Sequence, residues 1–87
     1  MKLIDFYADW CGPCKVLSKK LEDFKKDHPD IEIEKVNVED NEELVDKYKI
    51  KNLPTLILID KDEVIKRHTG LIDLEEFVYG SENSSNG

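Results

Sequence analysis

The apolar positions fall into short runs whose spacing predicts the elements. Residues 2–8 carry Leu3, Ile4, Phe6, Tyr7 and Ala8 at both odd and even positions, the pattern of a central strand covered on both faces. Asp5 interrupts the run. A carboxylate there is either exposed and locally hydrogen-bonded, or buried at a cost that shifts its pKa or demands a partner. Next, Cys14, Leu17, Leu21 and Phe24 recur at steps of three and four, with Lys15, Lys19, Lys20, Glu22 and Asp23 between them. That is a helix with one apolar stripe. Pro13 suits its first turn, where a missing N–H is no loss, and His28-Pro29-Asp30 ends it. Ile31 to Val38 reads as a second strand. Its apolar parity switches between Ile31/Ile33 and Val36/Val38, which predicts cover on both faces or a bulge.

Asp40-x-x-Glu43 reads as a capping box for a short helix that buries Leu44, Val45 and Tyr48. Thr55-Leu56-Ile57-Leu58-Ile59 is the strongest strand signal in the chain. A polar turn at Asp60 to Glu63 leads to a more polar strand at Val64 to Thr69, expected at a sheet edge. Gly70 breaks that strand, and Asp73-x-x-Glu76 opens a last helix with Leu74, Phe77 and Val78 inward. Residues 81–87 are polar and read as a disordered tail behind one domain at 1–80. The order β-α-β-α-β-β-α predicts an α/β fold with a four-stranded mixed sheet flanked by three helices. The first two strands are then parallel through a right-handed crossover, and the last two form an antiparallel hairpin.

Composition narrows the function. At 87 residues the chain is one domain, and 39% apolar content argues against disorder despite 38% charged residues. A net charge of −7 argues against binding nucleic acid or an anionic membrane surface. No apolar run approaches the roughly 20 residues that span a bilayer. Asp5 breaks the only stretch that could serve as a signal-peptide core. The expectation is a cytoplasmic monomer. In that compartment a cysteine pair is catalytic more often than structural.

Both cysteines lie in Trp10-Cys11-Gly12-Pro13-Cys14-Lys15, between the first strand and the first helix. Cys11 thus falls at a helix N-terminus, where unpaired backbone N–H groups and the helix dipole favour a thiolate. Cys14 joins the buried stripe while Cys11, three residues earlier, stays near solvent. Thiol–disulfide exchange needs such a pair: one thiolate to attack and a second thiol to resolve the mixed disulfide.

This hexapeptide, with Ile4-Asp5-Phe6-Tyr7-Ala8-Asp9 before it, resembles the active-site segment of the thioredoxins. Leu53-Pro54-Thr55 resembles that family's cis-proline loop, and Thr69-Gly70-Leu71 its glycine turn before the last helix. The resemblance covers most of residues 2–79 and implies a thioredoxin-like fold and a protein-disulfide reductase with no cofactor of its own. Family members begin with a further strand and helix ahead of the segment at Lys2, so four strands are expected here instead of five. The resemblance implies that Cys11 attacks, Cys14 resolves, and Asp5 accepts the Cys14 proton near Lys35 on the next strand. Burial should raise the Asp5 pKa while Lys35 opposes the shift. It further implies a cis Pro54, whose flanking backbone is left free for an extended substrate, and a flat docking surface of Trp10, Gly12, Pro13, Leu53, Pro54 and Gly70. Partial core burial is the simpler reading of Trp10, and both can hold. The partners implied are disulfide-containing proteins and a thioredoxin reductase.

Three rivals remain. A zinc site would have to draw on Cys11, Cys14, His28 and His68, and neither histidine lies at a finger-like spacing from the pair. A thioredoxin-fold binding module or partner subunit would not need the hexapeptide, Asp5 and Pro54 together. A glutathione-dependent glutaredoxin is disfavoured by the Trp-Cys-Gly-Pro-Cys string.

Overall fold

The computed structural model describes residues 1–80; the polar tail expected at 81–87 lies outside the described residues. The elements follow the predicted order: β1 Lys2–Tyr7, α1 Gly12–Asp27, β2 Glu32–Asn37, α2 Glu42–Tyr48, β3 Thr55–Asp60, β4 Glu63–Thr69 and α3 Leu74–Tyr79. They build one four-stranded sheet in the order β2-β1-β3-β4. β1 runs parallel to β2 and antiparallel to β3, and β4 is antiparallel to β3 at the edge.

The two-sided apolar pattern of β1 separates two cores. Leu3 packs with Leu17, Leu21 and Phe24 of α1 and with Leu74 and Phe77 of α3. Ile4 and Phe6 point the other way and pack with Val36 and Ile57, under Leu44 and Tyr48 of α2. The parity switch in the second strand has the same origin. Ile31 and Ile33 belong to the first core and Val36 and Val38 to the second. The β1–β2 register runs unbroken from Lys2↔Glu32 to Tyr7↔Asn37, so the second strand is covered on both faces and carries no bulge. The register shift falls instead between β3 and β4 at Leu58/Ile59.

α1 buries Cys14, Leu17, Leu21 and Phe24, the stripe that the sequence predicts. His28 closes it by donating its backbone N–H to the Phe24 carbonyl at 2.9 Å. The His28 ring contacts Glu75 at 3.3 Å and the Tyr79 hydroxyl at 3.2 Å, tying the end of α1 to α3. This puts His28 a full helix length from the cysteines.

The start of α2 departs from the expected capping box. Its N-cap is Asn41, and no side chain caps it. Asn37 organises the preceding turn by accepting from the Glu39 N–H through its side chain and from the Asp40 N–H through its carbonyl, at 2.9 and 3.1 Å. Asp40 is thereby spent in the turn, one residue ahead of the N-cap. α2 buries no residue completely; Leu44, Val45 and Tyr48 are half-buried. In α3 the expected cap is present, with Asp73 Oδ1 accepting the Glu76 N–H at 3.2 Å. Among the described residues no helix is long and apolar enough to cross a membrane.

Candidate active site

Cys11 is the N-cap residue of α1, and its sulfur accepts the Cys14 backbone N–H at 3.2 Å. Cys11 and Cys14 are joined as a disulfide with their Cα atoms 5.3 Å apart, within the ordinary range for such a bond. On reduction the same N–H and the helix N-terminus remain aimed at the Cys11 sulfur, which favours its thiolate. Cys14 is 2% exposed and Cys11 only 6%. The expectation that Cys11 stays near solvent is corrected. Its side chain folds back over the first turn to meet the Cys14 N–H, and the pair packs with Ala8, Val38 and Leu53.

Each cysteine has its own cavity. On the Cys11 side, Trp10, Val38, Val45, Ile50 and Leu53 line a pocket of ≈ 400 Å³. Trp10 is 70% exposed and its indole N–H donates to Glu39 Oε2 at 3.0 Å. Partial core burial of Trp10 is therefore overturned: the ring leaves the protein and is steadied from the loop after β2. Leu53 and Pro54 are joined by a cis peptide. The Pro54 carbonyl accepts the Gly70 N–H at 2.8 Å, which ties the cis-proline loop to the turn after β4. Gly70 holds φ at +99°, which a glycine adopts without strain. Gly12 and Pro13 lie exposed at the start of α1.

On the Cys14 side, Tyr7, Ala8, Asp9, Lys15, Ser18 and Lys35 complete a second cavity of ≈ 440 Å³. Asp5 lies on the same sheet face as Leu3, two residues on, and so under α1. It is 0% exposed, and neither carboxylate oxygen has a hydrogen-bond partner among the described residues. Burial pushes its pKa from 3.8 up to about 6, while the Lys35 ammonium pulls it back. Such a carboxyl gives up and takes a proton close to neutrality, within the range useful for a general base.

The structure thus brings Trp10, Cys11 and Leu53 to one wall and Cys14 and Lys35 to the other, with Asp5 buried beneath α1. Gly70 joins through the Pro54 carbonyl. Three neighbours escaped the sequence reading. Tyr7 lies under Lys35, with the ammonium 5.2 Å from the ring centroid. Ser18 accepts a hydrogen bond from Lys35, and Glu39 holds Trp10. Only Ser18 left a signal, as the polar residue one turn after Cys14 on the same side of α1. Among the described residues no three His, Cys, Asp or Glu side chains converge in a way that could hold a metal ion.

Comparison with known proteins agrees with this geometry. The thioredoxin family model matches residues 1–80. The thioredoxin of Chlamydia pneumoniae is 38% identical over 73 residues, covering 84% of this chain and 72% of that protein. The thioredoxin of Buchnera aphidicola is 36% identical over 80 residues, covering 87% and 74%. Among solved structures, Fasciola hepatica thioredoxin superposes with a TM-score of 0.83 at 33% identity, over 91% of this chain and 76% of that one. With a Cys11–Cys14 disulfide at the start of a helix in that fold, the chain belongs to the thioredoxin family and is a thiol–disulfide oxidoreductase that works by dithiol/disulfide exchange.

Proposed function

We propose that residues 1–80 act as one domain, a general reductant of protein disulfides. An extended substrate segment lies across Trp10, Gly12, Pro13, Leu53, Pro54 and Gly70. The Cys11 thiolate attacks one sulfur of the substrate disulfide. That S–S bond breaks as the Cys11–substrate bond forms, and the freed substrate sulfur leaves as a thiolate that takes a proton from water. Cys14 then passes its proton to the Asp5 carboxylate, and the Cys14 thiolate attacks the Cys11 sulfur. The mixed disulfide breaks, the second substrate sulfur leaves as a thiolate that takes a proton from water, Asp5 later returns its proton to solvent, and two electrons have passed from the pair to the substrate. Lys35 tunes Asp5 through space. The chain supplies no cofactor, so an external dithiol donor re-reduces it, and a thioredoxin reductase is the donor that the family membership suggests. A monomer in a reducing compartment such as the cytosol fits this role.

The observation that supports this reading most directly is the 3.2 Å contact from the Cys14 N–H to the Cys11 sulfur, which prepares one sulfur of the pair as the attacking thiolate. The test is the dithiothreitol-driven reduction of insulin disulfides with catalytic amounts of the protein. Strong acceleration that vanishes in Cys11→Ser is expected. No acceleration by the folded protein would overturn the reading and favour a binding module.

A further inference from the structure

The Lys35 ammonium does not pair with the carboxylate it faces. Asp5 and Lys35 are register partners on adjacent parallel strands, so their side chains leave the same face of the sheet. Yet both Asp5 oxygens lack a partner among the described residues, and Lys35 instead donates to the Ser18 hydroxyl while resting over the Tyr7 ring. Ser18 is half-buried on α1. It shares the second cavity with Cys14 and Lys35. Lysine is a flexible side chain with about 2 kcal/mol of rotamer entropy. Lys35 is exposed on the edge strand β2, so without a partner its head would sample many rotamers.

We propose that Ser18 is a positioning residue for the proton-transfer step: its hydroxyl holds the Lys35 ammonium beside the buried Asp5 carboxylate, near enough to attract it. Loss of the cation would let burial raise the Asp5 pKa further. This inference rests on the reading of Asp5 as acceptor of the Cys14 proton. The other charged or titratable groups around this space are Tyr7 and Asp9 from β1 and its loop, and Cys14 and Lys15 from α1. β3 sets the uncharged Leu56 against Asp5. Among the described residues, Lys35 is the charged group that acts on the Asp5 carboxyl through space.

The test is a carbon-13 titration of aspartate carboxyls in the oxidised protein, where the cysteines do not titrate. Ser18→Ala is expected to raise the Asp5 midpoint by roughly half a unit and so to slow disulfide reduction about threefold below it; the deficit should fade as pH rises. Ser18→Thr, which keeps the hydroxyl, should restore the midpoint. In a Lys35→Met background, Ser18→Ala should add no further shift. An unchanged or lowered midpoint in Ser18→Ala overturns the tether, as does a full further shift in the Lys35→Met background. Asp5→Asn separates the two claims. If resolution keeps its pH profile in that variant, the acceptor role fails, while the carboxyl midpoints still decide whether Ser18 positions Lys35.

Discussion

The N–H of Gly70 donates to the carbonyl of Pro54 at 2.8 Å, locking the turn after β4 to the loop before β3. A Cβ at Gly70 would meet nothing within 4 Å, but φ is +99°. The obstacle to a side chain is therefore the backbone conformation, not space. Gly70→Ala should cost about 1–3 kcal/mol, and each kcal/mol should lower the melting temperature by roughly 4–8 °C in a domain of this size. Because the turn sits beside the cis-proline, KM for a protein disulfide should rise more than kcat falls. Thermal melts and insulin-reduction kinetics of the same variant measure both effects.

The contact from the Cys14 N–H to the Cys11 sulfur predicts opposite fates for two serine variants. Cys14→Ser keeps the attacking thiolate and removes the resolving one, so it should accumulate mixed disulfides with substrate proteins. These are visible as adducts in non-reducing gels and by mass spectrometry. Cys11→Ser should neither trap nor turn over. Adducts from Cys11→Ser and none from Cys14→Ser would reverse the assignment of attacking and resolving cysteines.

How far the sequence could be read depended on whether a pattern was local. The α1 stripe of Cys14, Leu17, Leu21 and Phe24 is set by helical spacing alone, and it is the buried face observed. The parity switch in β2 likewise recorded a real change, from the core under α1 to the core under α2. The core reading of Trp10 fails because a contact from elsewhere decides it. Glu39, 29 residues away, holds the Trp10 ring in solvent. Cys11 and Asp40 were misplaced by local turns that apolar spacing does not record: Cys11 folds back onto its own helix, and Asn37 captures Asp40. Ser18 joined the site only because Lys35, 17 residues on, reaches it. No periodicity carries such a pairing.

Two similar strings make that distinction measurable. Asp40-x-x-Glu43 and Asp73-x-x-Glu76 both read as capping boxes, but only Asp73 accepts its N3 amide, at 3.2 Å. Asp73→Ala should cost about 1 kcal/mol, whereas Asp40→Ala should stay within about 0.5 kcal/mol of wild type. α3 is only six residues long and places Leu74, Phe77 and Val78 in the core, so the loss of its cap should loosen that packing. Urea unfolding of the two variants under one set of conditions compares them. Equal costs would mean that Asp40 acts as a cap in solution.

Asp5 makes stability depend on pH in an unusual direction. Burial raises its carboxyl from 3.8 to about 6, with Lys35 opposing. The folded chain therefore holds this proton more tightly than the unfolded chain does. The stabilisation is complete below about pH 4 and is lost as pH rises through about 6. The shift corresponds to about 3 kcal/mol, a large share of the roughly 5–15 kcal/mol that holds a domain together. Above neutrality the protein carries a buried charge with no hydrogen-bond partner among the described residues. Asp5→Asn removes the charge without changing the shape of the side chain. Its stability should exceed that of wild type above about pH 7, and the difference should shrink toward pH 4. Urea titrations of both oxidised proteins at several pH values would measure it. A difference that is constant with pH would mean that Asp5 keeps an ordinary carboxyl pKa in the fold, and the proton-acceptor role would lose its physical basis.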